Sequence, residues 1–313
     1  MIYILSCQTI QNGGGIYAYD LTENGELEQR VYFACDSPMY AVKCEKGLCV
    51  LLRQPFENSE NSGYFYVDEA LQNTTEIKDT QGEVACHLCV EKDDVYIVNY
   101  LSGNIVKNGD KITQRQGKGI HPTRQTQPHT HFVGQMFDEY LAVCDLGTDA
   151  LAIYDKELQF VSEVKVPDGY GIRHLTFSKD GKYIYAVNEL VPSVSVFAYQ
   201  NGRAELLKTE PIECQKENAT GAAIRLSEDG KHLYVSVREE NVICMYAVND
   251  EILLRLQTVD CDGDSPRDFD ICGEYLVCCN EKSDSVIVYH IKNGLVIHKT
   301  FNATIKNALC VIL

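Results

Sequence analysis

The 313-residue sequence contains no tryptophan and no apolar run of about 18 residues, so nothing in it reads as a membrane-spanning helix. It is also short of positive charge. Only 28 Lys and Arg face 45 Asp and Glu, giving a net charge of −17. Nucleic acid and anionic membrane call for clustered basic residues, so both are poor partners for this chain. The first residues, MIYILSCQTI, lack the basic segment and long apolar core of an export signal. Helical periodicity of 3.6 is missing from the apolar runs. The one C-x-x-C, Cys86 to Cys89, has no second pair at zinc-ligand spacing. A cytoplasmic protein without metal or cofactor is therefore expected. Most of its 14 cysteines, such as Cys44, Cys49, Cys244, Cys278 and Cys279, read as small buried hydrophobes with free thiols.

What the sequence does have is a repeat. IRHLTFSKDGKYIYAVNEL (172–190) and AAIRLSEDGKHLYVSVREE (222–240) share one pattern: a β-branched strand, a polar Asp-Gly turn, and a second apolar strand. Residues 131–147 and 266–282 carry the same unit with shorter turns, and weaker copies begin at Met39 and Ala85. A third strand follows each unit (VSVFAY, VICMYAV, VIVYHI), then a more polar fourth. The residue just after the second strand recurs at Cys7, Arg53, Tyr100, Leu146, Glu189, Arg238 and Glu281, in steps of 43 to 49 residues. This predicts an all-β, seven-bladed β-propeller occupying residues 1–313 as one domain. The chain starts on a second strand (IYILS) and finishes on a lone first strand (ALCVIL). The C-terminal strand is thus expected to complete the N-terminal blade and close the ring. The polar stretches ENSENSG and 107–127 are expected to be excursions between blades on a face where binding loops gather.

A ring brings distant residues together. Antiparallel pairing sets the start of each first strand beside the end of each second strand. One rim should collect His129 and His131, Asp145, Arg173 and His174, Asn188 and Glu189, Arg238 and Arg267, with Arg53, His87, Tyr100 and Glu281 as further candidates. His129 and His131 stand two residues apart and would project together from a strand. They read as an active-site pair, a metal pair or loop residues. Arg173 and Glu189 could equally be a structural ion pair, and Glu281 reads as solvent-facing. A basic rim in an acidic chain suits a small anion bearing an acyl group.

The motifs RQTQPHTHF, DLGTD, IRHLTFSKDGKYIYAVNEL, AAIRLSEDGKHLYVSVR and SPRDFDI resemble those of the lactonase-type seven-bladed propellers. That group comprises the propeller-type 6-phosphogluconolactonases and the fungal carboxy-cis,cis-muconate cyclases. The resemblance implies a catalytic set of His131 (or its neighbour His129), Arg173, Glu189 and Arg238. His129, Arg124, Asp145, His174, Asn188 and Arg267 stand as substrate-binding candidates. Two departures matter. LSCQT (5–9) replaces the GTYT of many relatives, and QMFDEY shortens the turn after PHTHF.

The function expected is hydrolysis of a sugar lactone, in first place 6-phosphogluconolactone, which would place the chain in the pentose phosphate pathway. Glu189 or His131 would be the base and the arginines would hold the anion. The alternatives are a cycloisomerase acting on a carboxymuconate-like polycarboxylate and a non-catalytic binding propeller. The missing tryptophan argues against the WD-type binding propellers. The partners expected are the small anionic substrate and at most a weak second copy of the chain.

Overall fold

A computed structural model describes residues 1–313. It holds seven four-stranded antiparallel sheets and, besides strands, only two short 3₁₀ turns, Ile10–Asn12 and Leu146–Thr148. Each sheet is a blade, and its first strand is the innermost. In blade 5 the strands are Ile172–Phe177, Tyr183–Asn188, Ser193–Gln200 and Arg203–Pro211. The second strand, YIYAVN, is buried on both faces because a neighbouring blade covers each side, so it reads as a continuous apolar run. The outer strand, RAELLKTEP, alternates exposed and half-buried residues because only one side has a neighbour.

The Asp-Gly turns share one geometry. In blade 5, Ser178 Oγ donates to Asp180 (2.8 Å), and Tyr183 N donates back to Ser178 Oγ (2.9 Å). Ser227, Asp229 and His232 repeat this in blade 6. The glycines, Gly181 and Gly230, have φ of 70° and 75°, which favours a residue without Cβ.

The core is divided as the ring is. Seven apolar clusters are present, and each joins the facing sides of two adjacent blades. The ring closes as expected: Ala308–Ile312 pairs antiparallel with Ile2–Ser6, as the inner strand of the first blade. All 14 cysteines are free, and Cys49, Cys244, Cys278 and Cys279 are buried as expected, whereas Cys44 is only half-buried. The polar stretches needed correction. ENSENSG runs directly into the strand Asn61–Val67 and so belongs inside blade 2. Within 107–127, Lys111–Gln114 forms the outer strand of blade 3, leaving 115–129 as the excursion between blades.

Candidate active site

The site arises from an irregularity repeated around the ring. In six blades the pairing of first and second strands skips one residue: Met39, Cys86, His131, Arg173, Arg267 and Leu309. In blade 6 the skip falls on Ala222 and Ala223. A bulged residue has no cross-strand partner, and its side chain is re-aimed. Beyond the bulge the ladder resumes with one further bond. Arg53 N–H donates to Ser37 (3.1 Å), Tyr100 to Val84 (2.9 Å), Glu189 to Gly171 (2.8 Å) and Glu281 to Ser265 (2.9 Å). These four acceptors all have left-handed backbone, including the β-branched Val84 at φ 53°, a strained conformation for such a residue.

Four of these bulged residues, Met39, Cys86, His131 and Arg267, meet residues at the ends of the second strands and just beyond them around a cavity of about 310 Å³. Its walls are Met39, Arg53, Val84, Cys86, Tyr100, Arg124, His131, Glu189, Arg238 and Arg267. Glu189 is buried and holds three arginines. Its Oε2 accepts from Arg173 Nε at 2.9 Å and lies 3.2 Å from Arg238 Nη2, and its Oε1 pairs with Arg124. Arg124 Nη2 also donates to the Tyr100 hydroxyl (3.3 Å). Arg267 pairs with Glu281 at 3.3 Å, so Glu281 is tied to the rim rather than left to solvent. The guanidinium of Arg53 is exposed and makes no ion pair or hydrogen bond.

The remaining residues fall elsewhere. Arg173 is buried behind Glu189 and donates to Ala222 O (2.6 Å), outside the cavity wall. His129 turns away: its Nδ1 lies 2.9 Å from Tyr100 O, and its ring stacks on Tyr100 at 4.4 Å. His131 alone of the pair faces the cavity. Asp145 is fully buried, pairs with Arg115 (3.0 Å) and accepts from His129 N (2.9 Å), so it braces the loop below the site. Asn188 donates to Ser193 and Ser195 (both 2.9 Å) and ties a hairpin, as Asn99 and Asn280 do in their blades. In all three the side chain of the last second-strand residue ties back into its own hairpin, and after Asn188 and Asn99 the next residue, Glu189 or Tyr100, lines the cavity. His174 lies deeper, in an imidazole and aromatic layer with His87, His131 and Phe132. Met39, Val84 and Cys86 were missed as wall residues. Met39 and Cys86 would have been found by taking the second residue of every inner strand.

The family model described as "Lactonase, 7-bladed beta-propeller" matches residues 2–313. The chain belongs to that family. An uncharacterised protein of Staphylococcus aureus (strain USA300) is similar to this lactonase-family propeller at 30% identity over 325 aligned residues, covering 91% of each chain. Among solved structures, a candidate 6-phosphogluconolactonase from Bacteroides uniformis matches with a TM-score of 0.88 at 25% identity, over 99% of this chain and 98% of that one. A periplasmic gluconolactonase from Pseudomonas aeruginosa matches with a TM-score of 0.88 at 22% identity, over the same shares, and so attests the fold.

Charge sorts the roles that this lactonase-family site can fill. Burial alone would raise the pKa of Glu189, but Arg238 and Arg173 outweigh it and hold the carboxyl well below its usual range. A carboxylate so held is a weak base and a strong organiser of cations. Burial, reinforced by Arg173, pushes the pKa of His131 well below 6.5, so its imidazole is neutral at pH 7 and keeps a lone pair, though as a weakened base. Its Nδ1 is sealed and without a partner, which leaves Nε2 to the cavity. Burial pushes the Cys86 thiol up to about 12, so it is a neutral wall group and no nucleophile. Four arginines line the cavity against one carboxylate, inside a protein of net charge −17. No group of three or more His, Cys, Asp or Glu side chains is placed to hold a metal ion.

Proposed function

We propose that this propeller hydrolyses the lactone of an anionic sugar acid, with 6-phosphogluconolactone as the leading substrate. The observation that carries the reading is a neutral histidine facing a cavity with a surplus of arginines. Arg53, with no partner of its own, and Arg267 receive the phosphate through charge-assisted hydrogen bonds. His131 Nε2 takes a proton from water as the water oxygen bonds to the lactone carbonyl carbon. Arg238, on the cavity wall, faces the developing oxyanion. When the tetrahedral species collapses, the ring C–O bond breaks and His131 returns the proton to the departing alkoxide. Glu189 stays ionised throughout and keeps Arg124, Arg173 and Arg238 in register. The free thiols of all 14 cysteines support a reducing, cytoplasmic setting.

The same arginines would hold a polycarboxylate, so the assay includes carboxymuconate. NMR of the product in ¹⁸O-water separates hydrolysis, which incorporates one solvent oxygen, from isomerisation, which incorporates none. His131→Asn should reduce kcat by about 100-fold or more. Glu189→Gln should loosen the arginines, raising KM and lowering the melting temperature. If His131→Asn remains folded and turns over either substrate at the parental rate, His131 is not the base.

A further inference from the structure

Two buried nitrogens remain unexplained by the site as described. His131 Nδ1 and His174 Nε2 are both sealed from solvent, and neither has a hydrogen-bond partner. Their rings are neighbours, with centroids 5.1 Å apart and planes at 66°. Buried polar atoms left unpaired cost about 1–3 kcal/mol each, so two such atoms on adjacent rings call for a common explanation.

Resting on the reading of His131 as base, we infer that His174 is its positioning residue, accepting through one buried water the proton that His131 carries on Nδ1. The requirement comes from tautomers. To act as base, His131 must have its lone pair on Nε2, the nitrogen that faces the cavity. Its proton must then sit on Nδ1, and a sealed N–H needs an acceptor. Among its neighbours, Arg173 carries only donors, and Tyr100 lies T-shaped to the imidazole with centroids 5.6 Å apart. His174 Nε2 is the available lone pair once the His174 proton sits on Nδ1. A water reaching about 2.8 Å to each side spans two such rings. His131 Nδ1–H donates to the water, and the water donates to His174 Nε2. Both orphaned atoms are then satisfied.

The surroundings keep His174 in the accepting state. Burial, then Arg173, His131 and His87, all disfavour its protonation. Arg225 adds to this from blade 6. The ring is wedged edge-on against His87 (5.2 Å) and beside Phe132 (5.8 Å), which restricts its rotation. Arg173, the preceding residue, is fixed on Glu189, so the inner strand holds the carboxylate clamp and the acceptor in one register.

The test uses full-length protein labelled with ¹⁵N-histidine. Long-range ¹H–¹⁵N spectra report which ring nitrogen carries the proton. The parent should show His131 protonated on Nδ1. His174→Phe keeps the ring's bulk and removes the lone pair. It should move the His131 proton to Nε2 and lower kcat tenfold or more, with KM unchanged. His174→Gln retains an acceptor oxygen and should recover the Nδ1–H form and most of the turnover. A parent spectrum with the proton on Nε2 overturns the inference, as does a folded His174→Phe protein matching the parent in tautomer and kcat. Should His174→Phe fail to fold, the parent and His174→Gln spectra still decide. Turnover surviving His131→Asn would sink the base assignment alone, and the spectra would still answer for the pairing.

Discussion

Acidification should destabilise this protein well before its carboxylates titrate. His87, His131 and His174 are 5%, 6% and 6% exposed, and each is held neutral. Burial is the first cause in all three, followed by Arg225 for His87 and by Arg173 for the other two. In the unfolded chain each recovers a pKa of about 6.5. Above that pH both states carry neutral imidazoles and nothing is lost. Below it the unfolded state binds up to three more protons than the native state, so stability falls as pH falls. Between pH 7.5 and 5.5 each histidine should cost about 1.4 kcal/mol, or about 4 kcal/mol for the three. Asp270, whose pKa burial raises, works in the opposite sense and offsets at most one of the three protons. Glu189 acts in a lower window: its depressed pKa adds stability that is lost only below about pH 4.3. Urea unfolding at pH 7.5, 6.5 and 5.5 and constant ionic strength measures the loss. His174→Gln should remove about a third of the histidine contribution. Equal unfolding free energies at pH 7.5 and 5.5 would show that the imidazoles protonate inside the native channel, against their burial.

Arg53→Ala should raise KM about tenfold or more while leaving kcat unchanged, because the guanidinium binds the anion alike in ground and transition states; steady-state kinetics with an unaltered KM would exclude Arg53 from the anion site. Deleting 308–313 removes an inner strand whose residues are almost all buried and bares the edge of Ile2–Ser6. The truncated chain should be insoluble or melt far below the parent, and a melting curve matching the parent would refute ring closure as a source of stability.

The blade repeat was legible because every second strand is buried on both faces, so YIYAVN, LYVSV and YLVCC stand out as apolar runs at even spacing. Strand order and closure follow from that spacing. Glu189, Arg238, Arg267 and His131 are brought to one cavity, as rim position suggested, and Arg124 joins them from the loop between blades 3 and 4. Neighbours in sequence proved harder to separate. Asn188 and Glu189 differ by one residue, yet one ties a hairpin and the other faces the channel. His129 and His131 should point alike in a regular strand, but the bulge at His131 breaks that alternation. Asp145 was misread because its partner, Arg115, lies 30 residues away in the loop between blades 3 and 4, where no strand pattern links the two. The unpaired state of Arg53 is a fact of three-dimensional surroundings that no local pattern records.

The skipped residue in each inner strand separates architecture from chemistry. Its side chain lacks a cross-strand neighbour, so exchanging it leaves every rung of the ladder in place. Methionine, cysteine, histidine, arginine and leucine already occupy equivalent bulges on one scaffold. The ring thus works like a combination lock, with one dial on each of six blades. A library varied only at Met39, Cys86 and Arg267 would sample new specificities at the mouth while the strand pairing of every blade stays as it is.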